Sequence, residues 1–195
     1  MKYLWLLVLL CTLLVTPAAA WADDLSDGIA AFDAKDYGRA YDLLLPYTEK
    51  GHPESCFRIG VILENGDGRE AEPARAAGYY EIASSAGLLS ATFNLARLYD
   101  IGLGIPQDYA KAAELYRIGA EKNYASSQLN LGLLYFGGRG LTTDFVQGLM
   151  WLMLAEENGA ANGSKSITYF SQHVTDHQRE LAEEARRVWK RTHPR

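Results

Sequence analysis

Apolar and polar positions along this chain recur every 36 residues, and that period organises the whole sequence. Phe57, Ile59, Gly60, Leu63, Gly66 and Gly68 stand in register with Phe93, Leu95, Ala96, Tyr99, Gly102 and Gly104. They do so again with Leu129, Leu131, Gly132, Tyr135, Gly138 and Gly140, without a gap. The second half of the unit repeats too. Ala40, Ala76, Ala112 and Gly148 form one row, and Gly51, Gly87, Asn123 and Gly159 form another. A fixed period of this size marks one supersecondary unit copied in tandem.

Inside each unit the spacing is helical. Thr92, Leu95, Ala96 and Tyr99, and then Gln128, Leu131, Gly132 and Tyr135, lie at i, i+3, i+4 and i+7 on one face of a first helix. A second helix follows an acid. Asp36, Glu72, Asp108 and Asp144 are also in register, each followed by Tyr37, Pro73, Tyr109 or Phe145. An acid at a helix start accepts from unpaired N–H groups and offsets the positive dipole end, and proline is well placed at a first helical position. Gly51, Gly87, Asn123 and Gly159 sit where these second helices should stop, and glycine and asparagine tolerate the left-handed conformation that stops them.

Each unit is therefore two antiparallel helices. The small residues within the stripe, and Ala76, Ala112 and Gly148 opposite them, allow close approach. One hairpin cannot bury its own apolar face, so neighbours must stack into an all-α solenoid. The ends read as caps. Residues 25–34 and 37–50 form an opening pair without the Gly-x-Gly turn. Thr175 and Gln178 read as a capping box starting a last helix, expected to bury Leu181, Ala185, Val188 and Trp189. Leu149 to Ala155 is apolar all round and should be covered on both faces by the terminal helices.

The run from Phe93 to Tyr99, the turn Gly102-Leu103-Gly104, and Asp108-Tyr109 followed by Ala112-Ala113-Glu114-Leu115-Tyr116 together resemble the Sel-one-like repeat, a relative of the tetratricopeptide repeats. The likeness covers roughly residues 37–163. Leu63 stands where a tyrosine is usual and Asn123 where a glycine is. The resemblance implies a right-handed α/α superhelix that serves as a scaffold or adaptor for other proteins. A cysteine-rich branch of that family is linked to penicillin binding and β-lactamase activity, but its members carry paired cysteines, and this chain has only Cys56 beyond the N-terminal segment, so that link does not carry over.

The first 22 residues change the picture of where the protein works. Lys2, an apolar run from Leu4 to Val15 of about 12 residues, and then Pro17-Ala18-Ala19-Ala20 have the layout of a secretory signal peptide. The apolar core is shorter than the roughly 20 residues a spanning helix needs. Cleavage fits after Ala20 or after Ala22, and the acids at Asp23 and Asp24 favour Ala22; an uncleaved anchor is the alternative. The expected organisation is a signal peptide over 1–22 and one repeat domain over 23–195. Within it lie an N-terminal capping pair (23–53), repeats at 54–89, 90–125 and 126–162, and C-terminal capping helices (163–195). The expected location is the periplasm or the exterior of the cell, with no membrane span after cleavage.

A formal net charge of −5, one unit more negative once Lys2 is removed, gives no pull toward nucleic acid. One remaining cysteine forms no internal disulfide, and Cys56, on the stripe beside Thr92 and Gln128, reads as a buried, inert thiol. Little in the chain points to catalysis. Neither Ser-x-x-Lys nor Gly-x-Ser-x-Gly occurs. His173 and His177 are four apart, but the cap at Thr175 interrupts the helix between them, so no metal site is expected there. The Gly-x-Gly pairs follow helices and not strands, which makes them turns and not phosphate cradles. No cofactor is expected. The basic cluster Arg186, Arg187, Lys190, Arg191 and Arg195 complements the end of the last helix, with contact to anionic lipid or an acidic partner as the sharper alternative.

The first helices of such an array line its concave face. The candidate groove for a protein or peptide partner comprises Phe57, Val61, Phe93, Asn94, Arg97, Asp100, Leu129, Asn130, Leu133 and Phe136, with Glu64 beside them. Leu129, Leu133 and Phe136 make an apolar strip that either meets a partner or is covered by the C-terminal cap. Asn94 and Asn130 are placed either to hydrogen-bond a peptide backbone or to brace the turns. The competing function is a cell-wall hydrolase or penicillin-binding enzyme of the same repeat type, and a third possibility is a structural subunit of an envelope complex.

Overall fold

The computed structural model describes the backbone of residues 18–193 and the side chains of 24–193. Among these, the chain forms α1 (Ala18–Asp33), α2 (Tyr37–Thr48), α3 (Pro53–Asn65), α4 (Pro73–Ser85), α5 (Leu89–Ile101), α6 (Tyr109–Glu121), α7 (Ala125–Gly137), α8 (Phe145–Glu157), α9 (Gly163–Phe170), a 3-10 turn at Ser171–His173 and α10 (Asp176–Thr192), with no strand. Consecutive helices pack as antiparallel hairpins that stack side by side into a right-handed α/α superhelix. Residues 1–17, which hold the apolar core of the expected signal peptide, lie outside the described residues.

The repeat positions do repeated jobs. Asp36, Asp108 and Asp144 cap α2, α6 and α8 by accepting from the backbone N–H of Arg39, Lys111 and Gln147 at 3.3, 3.0 and 2.9 Å. Glu72 departs from this. Its longer side chain turns outward to Arg75 at 2.7 Å and makes no cap bond, leaving Pro73 to start α4. Between the helices of a hairpin, a Cβ on Gly60 would stand 2.7 Å from the Tyr80 ring, and one on Gly132 would stand 2.9 Å from the Gly148 carbonyl oxygen. The small residues are thus what lets these helices touch.

Each first helix is also tied to the end of the second helix before it. The Cys56 thiol faces the Thr48 carbonyl at 4.0 Å, the Thr92 and Ser84 hydroxyls bond at 2.8 Å, and Gln128 Nε2 donates to the Ala120 carbonyl at 3.1 Å. Ser164 donates to Glu156 with the same separation of eight residues. Ser164 stands 36 residues after Gln128, and Ile167 and Phe170 follow Leu131 and Leu134 by the same step. α9 is therefore the first helix of a shortened fourth unit, ending at Phe170 after eight residues.

α10 closes the array differently from expectation. Its capping box at Thr175 and Gln178 is formed, and it lies along α8, where Trp189 meets Trp151 edge-on at 4.8 Å. The inward stripe is Ala182, fully buried, with Ala185 and Trp189 half-buried against the core, whereas Leu181 and Val188 are exposed. A helix of 17 residues with two apolar stripes must turn one of them outward, and the Trp189 contact decides which.

Candidate functional site

The face built by α3, α5 and α7 carries the candidate groove. Phe57, Val61, Phe93, Asn94, Arg97, Asp100, Leu129, Asn130 and Leu133 are all half-buried on it, neither sealed in the core nor fully exposed. Phe57 packs its ring on Tyr80 at 6.1 Å, and Phe93 lies between Tyr116 and Tyr124 at 5.9 and 5.8 Å. Phe136 does not join them. It is 9% exposed and stacks on Phe170 of α9 at 4.3 Å and on Phe145 at 5.6 Å. The end of the apolar strip is therefore covered by the fourth unit, and the open part stops at Leu133.

The charged residues of this face are engaged with one another. The Tyr80 hydroxyl donates to Glu64 at 2.9 Å, and the same carboxylate is ion-paired to Arg97 of the next hairpin. One repeat later, Asp100 pairs with Arg139 at 3.4 Å and faces Tyr116, while the Arg139 guanidinium lies 5.3 Å from the Tyr109 ring. Burial pushes the Tyr80 and Tyr116 hydroxyls well above the usual phenol range, and the neighbouring carboxylates add to this. The Glu64 side chain is only 6% exposed and that of Asp100 11%, so both acids are largely withdrawn from solvent and held by these partners. The sequence did not reveal this ladder, because its partners lie 33 and 39 residues apart, on either side of the period.

Asn130 donates to the Ser126 carbonyl of its own helix at 2.9 Å, and Asn94 is a hydrogen-bonding neighbour of Tyr80. Both amides have structural partners, which favours the bracing role over free peptide binding. Two clefts of about 440 Å³ lie elsewhere, flanking Trp189: one against Asn123, Asn158 and Lys190, the other against Arg117, Met150 and Val188. In the basic cluster, Arg186 and Lys190 bind Glu157 at 2.8 and 2.7 Å, and Arg187 and Arg191 turn to Glu184; Arg195 lies outside the described residues. The His173 ring bonds the Tyr169 carbonyl at 3.0 Å, on the other side of the Thr175 cap from His177. Among the described residues no three metal-ligating side chains gather, and no helix is long and apolar enough to cross a membrane.

Tandem helical hairpins packed one on the next define a superhelical repeat protein. Residues 53–88, 89–124 and 125–159 each match the Sel1 repeat, and the chain belongs to that family, whose members are typically protein-interaction scaffolds. A Sel1 repeat protein from Oxalobacter formigenes is 29% identical and superposes with a TM-score of 0.68 over 75% of this chain and 60% of that one. A protective antigen present in uropathogenic Escherichia coli strains, displaying an SLR fold, is 22% identical with a TM-score of 0.79 over 89% of this chain and 38% of its own; that likeness shows the fold alone. Chitin synthase regulatory factor 3 of Schizosaccharomyces pombe is 32% identical over 78 residues, which make up 40% of this chain and 8% of that protein.

Proposed function

We propose that this protein is a non-catalytic scaffold of the bacterial envelope or the exterior, which holds a segment of a partner protein along the face of α3, α5 and α7. One observation carries the reading. Phe57, Val61, Phe93, Leu129 and Leu133 recur on three consecutive first helices and stay half-buried, while Phe136, further along α7 at the position that Asp100 holds one repeat earlier, is stacked over by the chain's own α9. Partly accessible apolar side chains recurring along one face, with the paired charges of Glu64, Arg97 and Asp100 among them, suit a surface that holds a partner segment. The described name of the yeast relative, a regulatory factor, agrees with action through binding. Export rests on the N-terminal sequence, with its short positive start, apolar core and small-residue run.

The test is capture of partners from envelope extract by tagged protein and by Leu133→Asp. Loss of a stoichiometric partner with unchanged helical content supports the face, and retained capture rejects it. The non-catalytic half is tested with a reporter β-lactam. No turnover is expected, and turnover abolished by one substitution overturns it.

A further inference from the structure

We propose that α10 pairs antiparallel with α10 of a second copy of this chain, about a two-fold axis near Ala185. The proposal concerns α10 and is independent of what the α3–α5–α7 face holds. Glu180, Leu181, Glu184, Arg187, Val188 and Arg191 are all exposed on this helix. At 3.6 residues per turn they fall within about a third of its circumference, on the side away from Ala182 and Trp189. Along the chain they read acid, apolar, acid, base, apolar, base. Read from the other end, every acid becomes a base and the apolar positions stay apolar. Two such faces laid antiparallel set Leu181 against Val188 of the other copy, Glu180 against Arg191 and Glu184 against Arg187. Each pairing occurs twice. That is the self-complementarity a two-fold interface needs, since the same patch must fit itself.

Other occupants fit this face less well. A parallel α10 would set acid on acid and base on base, which is repulsive. An anionic membrane surface would attract Arg187 and Arg191 but repel Glu180 and Glu184, which flank Leu181. An acidic protein partner meets the same mixed signs. Within one copy, Arg187 and Arg191 lean on Glu184 at 2.7 and 3.7 Å, and all three side chains are more than half exposed. Exposed pairs of this kind are weak, so exchanging them for pairs across the axis costs little.

The platform under the seam is fixed. Arg186 and Lys190 are held inward by Glu157, and Trp189 by Trp151, so α10 offers its outward face without leaving α8. Ala185 and Val188 also line the cleft of about 440 Å³ that Met150 and Trp151 floor. Leu181 of the second copy arrives at Val188, on the wall of this cleft, with room for its side chain. A helix of 17 residues is about 25 Å long, so the seam is small. Association should therefore be weak and concentration-dependent, with Kd on the order of 10 μM.

Sedimentation equilibrium of the purified protein, from about 1 to about 200 μM, tests this. The apparent mass should rise from one chain to two across that range. Glu180→Arg with Glu184→Arg, and separately Arg187→Glu with Arg191→Glu, should each stay monomeric, because the altered face meets itself with like charges. An equimolar mixture of these two double variants should dimerise again, because acid then faces base at every pairing. Leu181→Asp, at an exposed position, should stay monomeric with unchanged helical content. A parent protein that is monomeric throughout overturns the proposal. So does a dimer that survives either charge reversal or Leu181→Asp, or a mixture that stays monomeric. A monomer that binds vesicles of phosphatidylcholine and phosphatidylglycerol, and loses them on Arg187→Glu with Arg191→Glu, overturns it in favour of a lipid surface.

Discussion

Gly140 lies against the backbone of Tyr109 so closely that a Cβ on this glycine would stand 2.2 Å from the Tyr109 carbonyl carbon. Gly104 meets Pro73 and Ala74 in the same way one repeat earlier, at 2.5 Å from the Ala74 nitrogen. The second glycine of each Gly-x-Gly turn is thus a contact between hairpins, where the N-terminus of one second helix seats the turn of the next unit. Gly140→Ala must strain a positive φ of 67° and displace backbone, for a loss of about 2–4 kcal/mol. Gly87→Ala has a positive φ of 90° but open space around it, and should cost only about 1 kcal/mol. Urea unfolding of the two variants measures the difference; equal losses would contradict a contact role for Gly140.

The Tyr80–Glu64–Arg97 ladder gives a pH dependence with a definite sign. The hydroxyls of Tyr80 and Tyr116 are held above the ordinary phenol range when folded. A group with a raised folded pKa contributes stability that is fully present below its unfolded value of about 10 and is lost as pH rises beyond it. Unfolding free energy should therefore fall with pH from about pH 10 upward. Tyr80→Phe should lower stability near neutrality by about 1–2 kcal/mol through the lost hydrogen bond to Glu64 and should flatten that alkaline decline. An unchanged decline in the Tyr80→Phe, Tyr116→Phe double variant counts against this assignment.

Trp189 closes the C-terminal end on Trp151, and with α10 it keeps Leu154 at 2% exposure. Trp189→Ala should cost about 3–5 kcal/mol and raise binding of a hydrophobic dye, since the apolar run of α8 from Leu149 to Ala155 loses part of its outer cover. Leu181→Ala and Val188→Ala, at 45% and 42% exposed positions, should each stay within about 0.5 kcal/mol of the parent. Comparable losses at all three sites would mean that α10 packs through its other stripe.

Cys56 is fully buried, and its burial raises the thiol pKa, so little thiolate is available at neutral pH. A thiol reagent should label native protein no faster than the protein opens, and denatured protein immediately. Rapid labelling under native conditions would show that α2 and α3 do not pack as described.

The hairpin period, the acid caps at Asp36, Asp108 and Asp144, and the capping box at Thr175 were legible because each depends on residues near in sequence. What escaped depends on distant pairs or on rotation. Leu181 with Val188, and Ala182 with Trp189, are both helical stripes, and spacing alone does not say which turns inward. Glu72 matches its row as an acid, but its extra methylene and the nearby Arg75 draw it off the cap. On the candidate face, the apolar row from Phe57 to Leu133 was readable as a periodic pattern. Which of the two readings holds at its end, an open strip or one covered by the C-terminal part of the chain, was not readable at Phe136, because Phe170 reaches it from a unit too short to show the full motif.

The central claim is that the first-helix face, and not the outer surface, meets the partner. Photo-crosslinking in living cells from a probe at position 133 tests it against the same probe at the exposed outer position Glu114 of α6. A discrete adduct from 133 and none from 114 is the predicted result. An adduct from 114 with none from 133 would contradict the account.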